Sequence, residues 1–347
     1  MAAETQAVWQ HARVVDVATV AVGIQQLVLG VENPRPAAPG SHVDVVVRSD
    51  GRESTRSYSV VGAAQGGGEL TIGVRLATNS RGGSRFMHSL RPGDELRMTQ
   101  PLQNFPLRIG APRYVLLAGG IGITALVGAA RALKRLDSQY RLVYLGRSRS
   151  QMAYVDQLAE VHGESLQLHV DDESSGLDVA AFVDEIADAG PTELYMCGPI
   201  RLMDAVRRRW RERCLSPADL RYETFGNSGW FDAEEFVVEV PRLGIVTTVG
   251  SGQTLLEALE LAGVGVISDC RKGECGLCQV RVLGVDGAVD HRDVFFSEAQ
   301  RRTSSKMCVC VSRAALNAEV AADEPRRRGV ATVGGSGGRA SLTIDVP

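Results

Sequence analysis

The sequence predicts a multidomain chain of three modules: an antiparallel β-barrel, an α/β domain on a parallel sheet, and a small α+β domain. Three observations carry that division. Short strands punctuated by turn signals fill the chain up to Pro106, strand and helix then alternate from Tyr114, and the cysteines crowd into the C-terminal part. Evenly spaced short strands favour closure into a barrel, and strand–helix alternation builds a parallel sheet with helices on both faces.

In the first module the spacing predicts strands at Ala12–Thr19, Gln25–Leu29, His42–Val47, Arg56–Val61, Glu69–Val74 and Glu95–Met98. Turns are marked by Asn33-Pro34, Pro39-Gly40, Asp50-Gly51, Gly66-Gly67-Gly68 and Pro92-Gly93-Asp94. In the second, strands are expected at Tyr114–Ala118, Arg141–Leu145, Leu166–Val170 and Glu193–Met196. Helices are expected over Thr124–Leu136, Met152–Val161, Val179–Asp188 and Arg201–Arg213. Ligands of such sheets sit at the carboxyl ends of the strands. After a Gly- and Ser-containing linker at Phe225–Gly229 come strands Glu235–Val240 and Ile245–Val249, a helix Thr254–Ala262, and a cysteine-bearing loop. An Arg- and Gly-rich stretch, Ala322–Gly338, reads as a loop before an alternating strand at Ser341–Val346. The expected boundaries are 1–108, 109–227, a linker 228–235, and 236–347.

Composition excludes several classes. With 38 basic and 41 acidic residues the formal charge is −3, which gives no global attraction to nucleic acid or to an anionic membrane. Only Lys134, Lys272 and Lys306 are lysines and the other basic residues are arginines, a coding bias that lowers the weight of any single Arg. The run Arg207, Arg208, Arg209, Arg211, Arg213 therefore reads as a solvated helix face. The longest uncharged stretch, Tyr114–Ala130, is short for a membrane span and is cut by glycines. The N-terminus has no apolar signal segment, so a soluble, cytoplasmic protein is expected. Seven cysteines, an odd number, argue against a disulfide framework.

Five of the seven lie in one stretch: Cys270, Cys275, Cys278, Cys308 and Cys310. The run Cys270-Arg-Lys-Gly-Glu-Cys275-Gly-Leu-Cys278 has four and then two residues between thiols, the plant-type [2Fe–2S] spacing, with a fourth ligand at 308 or 310. Gly273 and Gly276 let the backbone close on the cluster and turn amides toward sulfur. Zinc is the competing reading, although structural zinc sites usually present two close pairs of ligands.

The module resembles the plant-type ferredoxin fused to a reductase in the phthalate dioxygenase reductase and vanillate demethylase reductase family, and the resemblance extends over nearly the whole chain. It implies a β-grasp ferredoxin, and Cys310-Val311-Ser312-Arg313-Ala314 matches the family's fourth-ligand segment. Cys310 is thereby the expected ligand, with Cys308 and Cys214 bystanders, and Leu342–Val346 matches the family's final strand, which implies an insertion near 316–338.

The same resemblance implies a flavin on the first module. Arg56-Ser57-Tyr58-Ser59 matches the flavin signature, with Tyr58 against the ring, Ser59 at its N5 edge and Arg56 toward the phosphate. Val74-Arg75 and Ser80-Arg81-Gly82-Gly83-Ser84 complete the pocket, which in this branch holds FMN and in others FAD. Gly119-Gly120-Ile121-Gly122-Ile123-Thr124, between a strand and a helix, suits a pyrophosphate at a helix N-terminus. Cys197-Gly198-Pro199 matches the residues flanking the nicotinamide, with a buried small hydrophobe as the plain alternative for Cys197. Phe225, in Tyr222-Glu223-Thr224-Phe225-Gly226, matches an aromatic near the flavin, with core packing as its alternative. Catalytic contributions are thus expected from Ser59, Cys197 and Phe225.

The resemblance implies an NAD(P)H-dependent reductase, NADH being the family tendency. Arg147 and Arg149 stand where a 2′-phosphate would be read, which keeps NADPH open. Its partner would be a Rieske-type oxygenase or demethylase, or a cytochrome P450. The competing readings are a freestanding flavin reductase and an iron–sulfur redox sensor. A sensor would need neither a flavin pocket nor a nucleotide loop.

Overall fold

Alternating apolar residues in the first segment build a closed barrel. The strands are β1 (Trp9–Ala21), β2 (Ile24–Val31), β3 (Ser41–Ser49), β4 (Arg52–Ala63) and β5 (Glu69–Arg75), then a short helix α1 (Gly83–Ser89), β6 (Glu95–Thr99) and β7 (Leu102–Gln103). The order β4-β5-β2-β1-β6-β3 closes through the pairing of β3 with β4, so six strands leave no open edge. Val14, Leu27, Leu29, Val43, Val45, Val47, Leu70 and Ile72 point inward and fill the interior. All six expected strands are present. The computed structural model describes residues 7–49, 51–78, 82–225, 229–316 and 338–346, and the chain divides into two compact units at Glu223/Thr224.

The first unit continues into β8 (Tyr114–Gly119), α2 (Ile123–Arg135), β9 (Tyr140–Gly146), α3 (Val155–His162), β10 (Leu166–Val170), α4 (Val179–Asp188), β11 (Glu193–Cys197), α5 (Ile200–Glu212) and β12 (Leu220–Glu223). The sheet order is β10-β9-β8-β11-β12, and every pairing is parallel. β8 is buried along its whole length, as a central strand covered on both faces must be. Order reverses between β8 and β11, which is the topological switch point.

Two expectations change here. Helix α3 starts at Val155 rather than Met152, because Tyr154 takes a left-handed φ of 65° ahead of it. The arginines of α5 are not simply solvated. Arg209 forks onto Asp184 at 2.8 and 2.6 Å, Arg213 reaches Asp184 and Asp188, and Arg207 lies over the Tyr222 ring. Arg209 and Arg213 stitch the C-terminal end of α5 to α4.

The second unit contains β13 (Phe236–Val240), β14 (Ile245–Val249), α6 (Leu255–Leu261), β15 (Gln279–Asp286), β16 (Ala288–Asp290), α7 (Glu298–Thr303), β17 (Lys306–Cys308), β18 (Arg313–Ala315) and β19 (Ala340–Asp345). Its sheet runs β14-β13-β19-β15-β17, with β16 and β18 as a separate pair. The expected final strand is the centre of this sheet, parallel to β13 and antiparallel to β15. Helix α6 opens with a capping box between Thr254 and Glu257, which satisfies amides that a helix start leaves orphaned. Leu255, Leu256 and Leu259 of α6 pack with Phe236, Val238, Leu342 and Ile344 of the sheet.

Candidate functional site

At the switch point the ends of β8 and β11 are in backbone contact. A Cβ on Gly119 would lie 2.6 Å from Pro199 Cδ, and one on Gly122 would collide with the Cys197 carbonyl. Glycine is required at Gly122 by this close approach, since its φ of −59° is ordinary. The two motifs read separately in the sequence, Gly119–Thr124 and Cys197–Pro199, therefore form one crevice edge. Thr124 is buried and its hydroxyl donates to the Ile121 carbonyl at 2.9 Å, so its side chain shapes the turn. Cys197 is 1 % exposed, and at its place in the strand end it presents backbone to the crevice. Arg149 forks onto Glu173 at 2.9 and 2.8 Å, and that bond holds the Glu173 carboxyl below its ordinary range.

On the barrel, the Arg56–Ser59 signature lies on β4. Tyr58 pairs with Val43 and Ser59 with His42 of β3. Tyr58 packs against the barrel core, and burial raises its phenol above the ordinary range despite Arg56 nearby. Ser59 is buried, and its Oγ has no hydrogen-bond partner among the described residues. A buried hydroxyl without a partner is costly unless a ligand supplies one. The Gly83 backbone lies on the Arg56 side chain, where an added Cβ would be 3.0 Å from Cγ and 3.2 Å from Nε. The two flavin segments are thus adjacent, and they fit a flavin carrying a phosphate. Ser84 Oγ accepts from the Ala77 amide at 3.1 Å, tying the second segment to the chain after β5.

The Val74 side chain belongs to the barrel core, and its carbonyl accepts from His88 Nε2 at 2.9 Å. Arg75 is exposed. Arg81 and Ser80 lie outside the described residues, as do Gly226–Ser228 of the linker and most of the expected insertion. His88 carried no sequence signal, because its role depends on the strand it faces.

In the second unit the cysteine loop wraps around its first thiol. The amides of Lys272, Glu274 and Cys275 approach Cys270 Sγ at 3.5, 3.4 and 3.4 Å. Gly273 and Gly276 take φ of 80° and 73°, a region open to glycine at no steric cost. A Cβ on Gly273 would lie 2.7 Å from Val311 Cγ2 and 2.9 Å from Asp293 Cα, and one on Gly276 would overlap the Phe295 ring. Amides aimed at sulfur from a loop without room for side chains fit an iron–sulfur cluster better than a plain zinc knuckle.

Their two-residue spacing would put Cys308 and Cys310 on the same side of an extended chain. Instead the chain turns sharply after β17, with Val311 and Ser312 amides both reaching the Cys308 carbonyl. Both thiols thereby face Cys278. Their hydrogen bonds to it pull the Cys278 thiol down toward thiolate, while the same bonds and burial push Cys308 and Cys310 up. Cys310 also feels Cys270 and the Gly273 amide, whereas Cys308 feels the carboxylate of Asp293. Sequence reasoning missed Asp293. It is fully buried and accepts from the Phe296 amide at 2.9 Å and the Ser312 hydroxyl at 3.3 Å.

Glu274 was also missed as a side chain. Its Oε1 accepts the Thr224 amide at 2.9 Å. Burial raises its carboxyl above the ordinary range, opposed by that amide and by Lys272.

Two family profiles match the sequence. One, described as an oxidoreductase FAD-binding domain, covers residues 11–106, and the other, a 2Fe-2S iron-sulfur cluster binding domain, covers residues 238–315. Phenoxybenzoate dioxygenase subunit beta of Ectopseudomonas oleovorans is 35% identical over 282 residues, 80% of this chain and 85% of that protein. Phthalate dioxygenase reductase, described as a modular structure for electron transfer from pyridine nucleotides to [2Fe-2S], superposes with a TM-score of 0.68 at 27% identity. That match covers 97% of this chain and 98% of the other. An intact type IV self-sufficient cytochrome P450 monooxygenase matches with a TM-score of 0.60 at 32% identity over 97% of this chain, which spans 41% of that protein. Among the described residues no helix is long and apolar enough to cross a membrane. With a flavin-binding barrel, a switch-point crevice on a parallel sheet and a 2Fe-2S domain in one chain, this protein belongs to the phthalate dioxygenase reductase-like family of oxygenase reductases, electron-transferring oxidoreductases.

Proposed function

We propose that this chain is an NADH-dependent reductase that holds FMN and a [2Fe–2S] cluster, and that it serves a separate terminal oxygenase in the cytoplasm. The modules are 1–108 for flavin, 109–227 for nucleotide, a connector 228–235, and 236–347 for the cluster. The cluster ligands are Cys270, Cys275, Cys278 and Cys310. The single observation that carries the reading is the set of three amides on Cys270 Sγ within a Cys-x4-Cys-x2-Cys loop. A flavin held by Ser59, Tyr58 and Arg56 would supply conversion of a two-electron hydride into single electrons, and a cluster held by the cysteine loop would supply one-electron relay.

The chain's own residues position these groups. Ser59 Oγ, Tyr58, Arg56 and the Gly82–Ser84 turn offer the flavin site. Arg75 and Arg81 are assigned to the same cofactor by their sequence motif, and Phe225 by the motif Tyr222–Gly226. The Gly119–Gly122 turn and the start of α2 offer amides to a pyrophosphate, and Cys197, Gly198 and Pro199 line the nicotinamide side. The seven free thiols fit a reducing compartment. A Rieske-type oxygenase, an oxygenase-linked demethylase or a cytochrome P450 is the acceptor class. The relatives named for a dioxygenase and for a P450 monooxygenase support it.

Purified protein is expected to carry FMN, identified after extraction, and iron with acid-labile sulfide and the axial-to-rhombic EPR signal of a reduced [2Fe–2S] centre. Zinc without iron, or no flavin, would overturn the reading.

NADH is favoured over NADPH because Glu173 already occupies the Arg149 fork. Glu173→Gln removes the competing charge. NADPH is expected to gain roughly threefold in kcat/KM while NADH changes little, the scale of an exposed ion pair. Unchanged NADPH kinetics would show that the 2′-phosphate is read elsewhere.

A further inference from the structure

We propose that Glu274 is a positioning residue that ties the cluster loop to the chain segment directly following β12, so that the loop is held in fixed register with Thr224 while it receives an electron. The inference rests on the cluster reading above. One residue touches both partners. Its amide faces Cys270 Sγ at 3.4 Å, and its Oε1 accepts the Thr224 amide at 2.9 Å across 50 positions of sequence. Thr224 is 2 % exposed and directly follows β12, whose pairing with β11 ends at Glu223. Its amide therefore lies beyond the sheet, and the carboxylate is the acceptor that satisfies it.

The rest of the described connector is seated on the same unit in the same manner. The Trp230 amide donates to Asp290 Oδ1 at 3.0 Å. The Phe231 carbonyl accepts from Arg292 Nη2 at 2.8 Å, and the Glu234 carbonyl from Arg313 Nη2 at 2.8 Å. Asp290 and Arg292 are buried and bonded to each other at 2.7 Å. These are main-chain anchors, which fix a segment whatever its side chains. Of the four, only the Glu274 anchor lies in the cysteine loop itself. The step it serves moves one electron and no atoms, so position is what a protein group can contribute to it.

The test compares holoprotein carrying Glu274→Ala and Glu274→Gln at matched iron and flavin content. Two quantities are read: hydrogen exchange of the Thr224 amide, and the ratio of cytochrome c reduction, which needs the cluster, to ferricyanide reduction. Glu274→Ala leaves a buried donor without its acceptor, so exchange is expected to speed up roughly tenfold or more and the ratio to fall comparably. Glu274→Gln retains an acceptor oxygen and is expected to keep both near wild type. Unaltered exchange and ratio in Glu274→Ala would overturn the proposal, as would a Gln variant as impaired as Ala. If the Ala variant loses iron, exchange measured in iron-free wild type and Gln variant decides in the same way. Wild-type protein without iron or flavin would instead defeat the parent reading, before any variant is compared.

Discussion

Cys310→Ala is expected to abolish cluster-dependent electron transfer, with cytochrome c reduction falling by at least about 100-fold, because even loss of an outer partner of a metal site costs 10- to 100-fold. Cys308→Ala is expected to keep the cluster and most of that activity. The two thiols lie on either side of one tight turn, and both reach Cys278, so proximity alone does not choose between them. Charge does. A ligand must be a thiolate, and Cys308 stands beside the buried Asp293 carboxylate, which disfavours a second negative charge. Cys310 instead faces the Gly273 amide, a donor that favours thiolate, and it lies on the side of Cys270. Iron content and EPR of the two variants settle the matter. A cluster lost from Cys308→Ala and kept in Cys310→Ala would reverse the assignment.

The same turn illustrates what the sequence made legible. Local rules sufficed where an element is decided by its own residues. Leu166–Val170, Val179–Asp188 and Ile245–Val249 have the bounds that periodicity and flanking signals predict. The cysteine spacing announced the cluster loop for the same reason, since three cysteines lie within nine consecutive positions. Strand β15 escaped notice although its residues alternate, because Gly284 and a register shift between Val282 and Gly284 interrupt the pattern. Elements made by distant partners were not legible at all. Nothing near Glu274 in sequence announces Thr224, and nothing near Arg209 announces the Asp184 that it forks onto. The turn at Cys308–Cys310 was equally illegible, because a turn closed by backbone bonds leaves no mark on side-chain pattern.

Asp293→Ala is expected to destabilise the cluster-bearing unit by about 3–5 kcal/mol, the cost of removing one partner from a buried charged network. The carboxylate is fully buried, and four groups converge on it: the Phe296 amide, the Ser312 hydroxyl, the His291 ring at 3.4 Å and Arg301 at 3.9 Å. Burial alone would raise its pKa. The hydrogen bonds from His291 and Phe296, together with Arg301, outweigh burial and hold it below the ordinary carboxylate range. A depressed folded-state pKa contributes stability that is complete above the unfolded value, about 3.9, and is lost as pH falls through the folded one. Wild-type protein should therefore lose this increment only in acid, below about pH 4, while the Ala variant lacks it at neutral pH. The loss also reaches the cluster site, because the Val294 amide donates to the Gly273 carbonyl at 2.9 Å and the Asp293 backbone lies against Gly273. Urea unfolding followed by the visible circular dichroism of the cluster reads the effect. Asp293→Asn keeps an acceptor for the Phe296 amide and should fall between wild type and Ala. A midpoint for Asp293→Ala within about 1 kcal/mol of wild type would mean that the four groups find other partners and that the carboxylate does not organise this loop.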